Sequence, residues 1–293
     1  MKKVFKIKSI LFAVLLVSAV SCKKDFLDTK PQSSLVSGTL TTSQDAENEL
    51  TGAYNKLATN GYFQYSRHYM TEGINDNHYL NGDNPQEQQL ENFSFDAANG
   101  VIEGSYREIF SQIAAANAVL SDVPAINDQK WSGTNRKEQI LAEATFIRAL
   151  NYYELVTQFG GVPIILSFSQ DGNYYPSRNT EQEVYTQIVK DLIDAEAALP
   201  DVPYNNQYGR ATKGAAQVLL AKTYAQMGDY DNCLVYATKV ISSGTYSLVP
   251  NFASLWGNTN KNPSEAIFQI QSPTGSSPYS FWAFSIFCFD VND

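Results

Sequence analysis

The sequence predicts an all-α protein of paired amphipathic helices that carry long inserted loops. Three observations predict it. Apolar residues recur at three- and four-residue spacing in successive windows. Those windows stop at glycine or proline, which end helices for steric reasons. The connections between them are long and rich in Asn, Gly, Asp and Tyr, residues that favour turns.

Taken in chain order, residues 1–21 stand apart. Lys2, Lys3, Lys6 and Lys8 give a basic start with no acid, and an apolar core from Ile10 to Val20 follows. A spanning helix needs about 20 apolar residues, so this segment is too short to cross a bilayer. It reads as a signal peptide and is excluded from fold reasoning. Its small-residue end, Val17-Ser18-Ala19-Val20-Ser21 before Cys22, resembles a bacterial lipoprotein cleavage site, with Ala19 where leucine is most frequent. That resemblance implies lipidation of Cys22. The alternative is a plain secretion signal. Residues 22–40, rich in Ser and Thr with Pro31 and Gly38, form a tether, and one helical domain occupies 41–293.

The first helix carries Ala46, Leu50, Ala53, Tyr54 and Leu57 on one face, with Thr41 and Gln44 as a capping box. Residues 60–104 have aromatics at no steady period and read as an inserted loop. A helix after Gly104 presents Tyr106, Ile109, Ile113, Ala116 and Leu120, and Pro124 ends it. The strongest pattern runs over 136–159. Its polar residues Glu143, Arg148, Asn151, Glu154 and Gln158 form one strip, so most of its circumference is apolar and buried. Arg148 and Glu143 then need buried partners and read as structural. Gly160-Gly161-Val162-Pro163 ends that helix. Val184, Ile188, Leu192, Ala195 and Leu199 mark another, closed by Pro200. Residues 262–271 alternate in apolar character and predict a strand. The apolar stretch 280–289 has no helix stop and suggests a chain that ends early.

Composition narrows the function. The net charge is −9, and removing residues 1–21 with their four lysines gives −9 − 4 = −13. Such a chain repels nucleic acid and anionic lipid and suits neutral ligands. Beyond Cys22 there are only Cys233 and Cys288, which leaves a disulfide conceivable but unnecessary at this length. His68 and His78 are the only histidines, in no zinc spacing and beside no nucleophile elbow. Residues 76–87 imitate a calcium loop, but Leu80 takes a ligand position and Asn81 replaces its glycine. No metal, cofactor or catalytic residue is expected. A carboxylate pair for glycoside hydrolysis stays open because the chain holds 30 acids.

Two resemblances follow. Leu220 to Cys233, with its Gly228-Asp229-Tyr230 turn, resembles a tetratricopeptide helix pair. Ala221 and Cys233 fall where such helices touch, and Gln217 stands where Trp is favoured. Cys233 then packs as a small apolar residue. Several segments in order resemble the RagB/SusD family of outer-membrane glycan-binding lipoproteins of Bacteroidetes. They are Cys22-Lys-Lys-Asp-Phe-Leu-Asp28, Tyr106-Arg-Glu-Ile109 with Ala116-Asn117, and Ala142-Glu-Ala-Thr-Phe-Ile-Arg-Ala-Leu150 leading to Phe159-Gly-Gly-Val-Pro163. Gly209-Arg-Ala-Thr-Lys-Gly-Ala-Ala216 and Glu265-Ala-Ile-Phe268 complete the set. Thr145 and Ser105 depart from it, where Arg and Trp are common.

The resemblance implies a tetratricopeptide-like fold with a sugar site made by inserted loops, in a chain shorter at its C-terminus than the family. It implies an outer-membrane, surface-facing lipoprotein that captures oligosaccharide for a SusC-like TonB-dependent transporter. It implies no enzyme. A sugar site needs aromatic faces beside Asn, Asp, Gln or Arg. Asp76, Asn77, Tyr79, Asn81 and Asp83 supply that mixture, and Tyr279 and Trp282 add ring faces. The alternative is a tetratricopeptide adaptor that binds a protein or peptide.

Overall fold

The computed structural model describes residues 40–64, 66–71, 73–75, 84–167, 176–255 and 261–271. Residues 1–39, which hold Cys22, the expected signal peptide and all but the last residue of the expected tether, lie outside the described residues. Helix α1 spans Ser43–Leu57 and buries Ala46, Leu50, Ala53 and Leu57, the expected face. Its cap is shifted by one residue from the expectation. Thr42 accepts from Asp45 N, and the Asp45 carboxylate accepts from Thr41 N and Thr42 N. A carboxylate accepts more strongly than the Gln44 amide and favours a helix N-terminus, which explains the shift. These bonds, first the one from Thr41, hold the Asp45 pKa low.

The expected loop over 60–104 is partly helical. A π-turn at Asn60–Gln64 leads to α2, Ser66–Thr71, and α3 covers Pro85–Glu91. Helix α4, Gly100–Asp122, starts five residues before the expected position. Asn99 sets that start. Its Oδ1 accepts from Val101 N and Ile102 N, and its Nδ2 donates to Gln86 O and Gln89 Oε1. One buried side chain therefore caps α4 and ties α3 to it. Pro124 ends α4 in a short 3-10 turn, as expected.

Helix α5, Arg136–Phe159, has the bounds its pattern predicts. Gly160 follows at φ 71, and a Cβ on Gly161 would overlap Asn179 O. Helix α6, Glu181–Ala198, carries a Thr180–Glu183 capping box and buries Val184, Ile188, Leu192 and Ala195. Helices α7, Lys213–Gln226, and α8, Tyr230–Ser242, form the last pair, turning at Gly228 with φ 74. Helices α4 to α8 each pack on the next, and α1 lies against α4 and α5.

Two buried ion networks fix α5. The Arg148 guanidinium donates to both oxygens of Asp191 on α6 at 2.8 Å and to Asn117 on α4 at 3.1 Å. Glu143 accepts from Arg136 at 2.7 Å, Tyr54 at 2.8 Å and Arg210 at 3.4 Å. Glu47 on α1 accepts from the same two arginines. Arg136 also stacks 3.6 Å from the centroid of the Tyr204 ring. The structural roles expected of Arg148 and Glu143 are what these contacts show.

Two local expectations need correction. Residues 262–271, all described, form no strand. Phe268 packs edge-on against Phe146 at 5.1 Å, so side-chain packing holds this segment without a ladder partner. Cys233 is half-buried with a free thiol, because among the described residues α8 meets only α7 closely. Cys288 lies outside the described residues.

Candidate functional site

The last two turns of α5 form one wall of a cavity of about 600 Å³. They contribute Tyr153, Glu154, Thr157, Gln158 and Phe159. Arg67, Met70 and Thr71 on α2 face them, with Ile74, Leu90, Phe95 and Ile102. Lys222 and Gln226 on α7 complete the lining. The volume falls within the range of small-molecule sites. A second cleft of about 280 Å³ lies between residues 201–212 and 262–269. There Asp201 is bridged to Lys213 at 3.0 Å and Arg210 belongs to the Glu47 network, so its charges are already engaged.

Glu154 organises the polar side of the larger cavity. It is 5% exposed and accepts from Arg67 Nε at 2.7 Å, Arg67 Nη2 at 3.3 Å and Gln158 Nε2 at 3.0 Å. Gln158 Oε1 is buried without a hydrogen-bond partner. Lys222 Nζ lies 5.3 Å from the centre of the Tyr153 ring. Burial, then the Glu154 charge, raises the Tyr153 pKa and keeps it a neutral phenol. The cavity thus combines ring faces (Phe95, Tyr153, Phe159) with amide, ammonium and carboxylate groups. Sugars present that pairing of apolar ring faces and hydroxyls. Among the described residues of its lining, Glu154 is the one carboxylate. Among the described residues no group of three His, Cys, Asp or Glu is placed to hold a metal ion.

Every site residue expected from the sequence, Asp76, Asn77, Tyr79, Asn81, Asp83, Tyr279 and Trp282, lies outside the described residues. Ile74 and Leu90, which flank the 76–83 segment in sequence, both line the cavity. Sequence reasoning missed Arg67, Tyr153, Lys222 and Gln226 as site residues. Glu154 and Gln158 were visible as the end of the α5 polar strip. Their partner Arg67 sits 87 residues from Glu154 in the chain, with no local signal.

Fold and cavity together define a class: stacked α-helical pairs with a polar-aromatic cleft where helix ends meet inserted loops. Residues 25–225 match the SusD-like family described as "Starch-binding associating with outer membrane". The chain belongs to the SusD-like family. It is 28% identical over 272 residues to SusD-like protein P2 of Formosa agariphila, covering 89% of this chain and 52% of that protein. It is 30% identical over 191 residues to the starch-binding protein SusD of Bacteroides thetaiotaomicron, covering 63% of this chain and 33% of that one. A laminarin-binding SusD-like protein superposes with a TM-score of 0.68 at 24% identity, covering 78% of this chain and 51% of that structure. The chain spans about half the length of the curated relatives it matches. No helix among the described residues is long and apolar enough to cross a membrane.

Proposed function

We propose that this chain serves as a cell-surface glycan-binding lipoprotein, not an enzyme. Cleavage before Cys22 would leave a lipid on that residue. The lipid would anchor the protein to the outer membrane through the 22–40 tether, with the helical domain from 41 onward outside. Captured oligosaccharide would pass to a SusC-like TonB-dependent transporter. The observation that carries the reading is the cavity at the end of α5, where ring faces stand beside a carboxylate, amides and an ammonium. The segment holding Asp76, Asn77, Tyr79, Asn81 and Asp83 runs between two residues of its lining, and Tyr279 and Trp282 remain candidates to add ring faces. Family membership and the starch-binding relative support it.

Affinity electrophoresis in gels containing neutral polysaccharides tests the reading. Retention of the wild type, weakened by Gln158→Leu and by Tyr79→Ala, is expected. Unchanged mobility of the wild type in every gel, or release of reducing sugar, would end it. The second reading, an adaptor for a protein or peptide, has one observation in its favour: the exposed apolar face of α8. Retention by no glycan would move attention there.

A further inference from the structure

The turn that leads into α2 carries a buried donor with nothing to bond. Tyr62 breaks the helical path of Asn60–Gln64, at φ −133 and ψ −115. Its side chain is buried, with the ring 4.2 Å from that of Phe63, and its hydroxyl has no hydrogen-bond partner among the described residues. Burial, and then the charge of Glu154, hold its pKa well above the ordinary phenol value, against the pull of Arg67. The hydroxyl therefore keeps its proton in the field of the Arg67–Glu154 pair. A buried donor left unpaired in a native protein calls for an explanation.

Glu154 is the meeting point. Arg67 donates to it from Nε at 2.7 Å and Nη2 at 3.3 Å, which ties α2 to α5, and the guanidinium lies 5.2 Å from the centre of the Phe63 ring. Beyond its first residue α2 is held lightly. Ser66 is buried, whereas Arg67, Tyr69, Met70 and Thr71 are half-buried. The backbone before the kink is fixed, since a Cβ on Gly61 would overlap the Glu108 side chain on α4. Arg67, Met70 and Thr71 also line the cavity, so any swing of α2 changes the width of the cavity.

We infer that α2 is a hinged wall of the cavity, pivoting at Tyr62 and latched by Arg67 on Glu154. In the closed state Arg67 holds the carboxylate. In the open state the Tyr62 hydroxyl donates to Glu154 in its place, and the Arg67 guanidinium turns toward the cavity to meet a ligand. Glu154 keeps a donor in both states, so the exchange strands no buried charge. Two alternative donors for one carboxylate make the wall bistable, and a ligand that engages Arg67 shifts the population toward the open state. The device goes beyond the glycan reading and holds whichever ligand enters.

Amide hydrogen exchange of the full, ligand-free chain, read by mass spectrometry, tests it. Glu154→Gln trades a charged hydrogen bond for a neutral one, so exchange over residues 61–71 should quicken about tenfold while α6 is unchanged. Arg67→Lys keeps the charge but not the fork and should fall between that variant and the wild type. Tyr62→Phe removes the orphan of the closed state and the donor of the open one. Exchange over the same residues should then slow about tenfold, with no loss of melting temperature. Opposite movements from two side chains that face one carboxylate separate a latch from lost packing. Equal exchange in the wild type and Glu154→Gln overturns the latch. Faster exchange in Tyr62→Phe overturns the donor swap, because the hydroxyl would then be bonded in the closed state. Fast exchange across α5 and α6 in Glu154→Gln reports global unfolding, and Tyr62→Phe then decides alone.

Discussion

Helices α5 and α8 are both amphipathic by sequence, yet they end in opposite surroundings. Helix α5 buries 14 of its 24 residues, including Arg136, Glu143, Asn151 and Glu154. Helix α8 buries only Val240. Tyr230, Leu234 and Ile241, spaced to fall on one side of α8, are 71%, 67% and 79% exposed. The cause is the number of neighbours. Helix α5 is enclosed by α1, α4 and α6, whereas among the described residues α8 meets α7 alone in any extent. Periodicity reports which face of a helix is apolar. It does not report whether another element arrives to cover that face. Stability should therefore concentrate around α5, and substitutions should grade steeply from there to α8.

The largest effect is expected at Arg148. Its partner Asp191 has a side chain only 1% exposed. Arg148→Ala would strand that carboxylate away from water, at a cost of about 3–5 kcal/mol. Urea denaturation measures it, and a loss under about 1 kcal/mol would show that the α5 network is not where stability lies. Exchanging both partners for well-packed apolar residues should recover most of the loss, since burial without charge carries no stranded ion. Next comes Ile147, fully buried on the same helix. Ile147→Ala should cost about 2–5 kcal/mol by the same assay, as removal of core methylenes leaves a cavity.

These expectations also mark what the sequence discloses. The bounds of α5 were legible because its apolar run is long and Gly160, Gly161 and Pro163 stop it. The faces of α1 and α6 were legible for the same reason. Helix α3 was not: Pro85–Glu91 is seven residues long and buries only Leu90, too short a record for a period. The one-residue cap shift on α1 turned on competition between Asp45 and Gln44, which spacing alone does not resolve. Residues 262–271 showed their alternation, but whether a ladder partner exists is a tertiary fact. For the site, the polar strip of α5 was legible as a strip, though not as a wall of the cavity. Sequence reasoning could not pair Glu154 with Arg67, because that contact exists only once α2 folds onto α5.

A smaller, pH-dependent effect belongs to α1. Burial, and then the nearby Asp122 charge, raise the Glu49 pKa from 4.5 to about 7. The folded state therefore holds its proton more tightly than the unfolded chain does. Its contribution to stability is full below pH 4.5 and lost as pH rises through about 7. Glu49→Gln keeps the shape and removes the titration. Melting temperatures should agree between variant and wild type at pH 5, and the variant should be the more stable at pH 8. Equal melting temperatures at both pH values would place Glu49 in water.

The smallest effect is the sharpest test of the contrast between the two helices. Leu234 would be a core residue if helical spacing alone decided burial, and its replacement by a polar residue would then cost several kcal/mol. It is instead 67% exposed on α8, where the chain already leaves its apolar surface in water. Leu234→Gln should change stability by no more than about 0.5 kcal/mol in either direction. It should also lower any tendency to self-associate, because exposed apolar patches drive contact between copies. Urea denaturation and sedimentation of the same two samples read both quantities. A loss of about 2 kcal/mol at constant molecular mass would mean that α8 is covered within the monomer. A loss that appears only as the protein is diluted would mean that a second copy covers it, since stability then depends on protomer concentration.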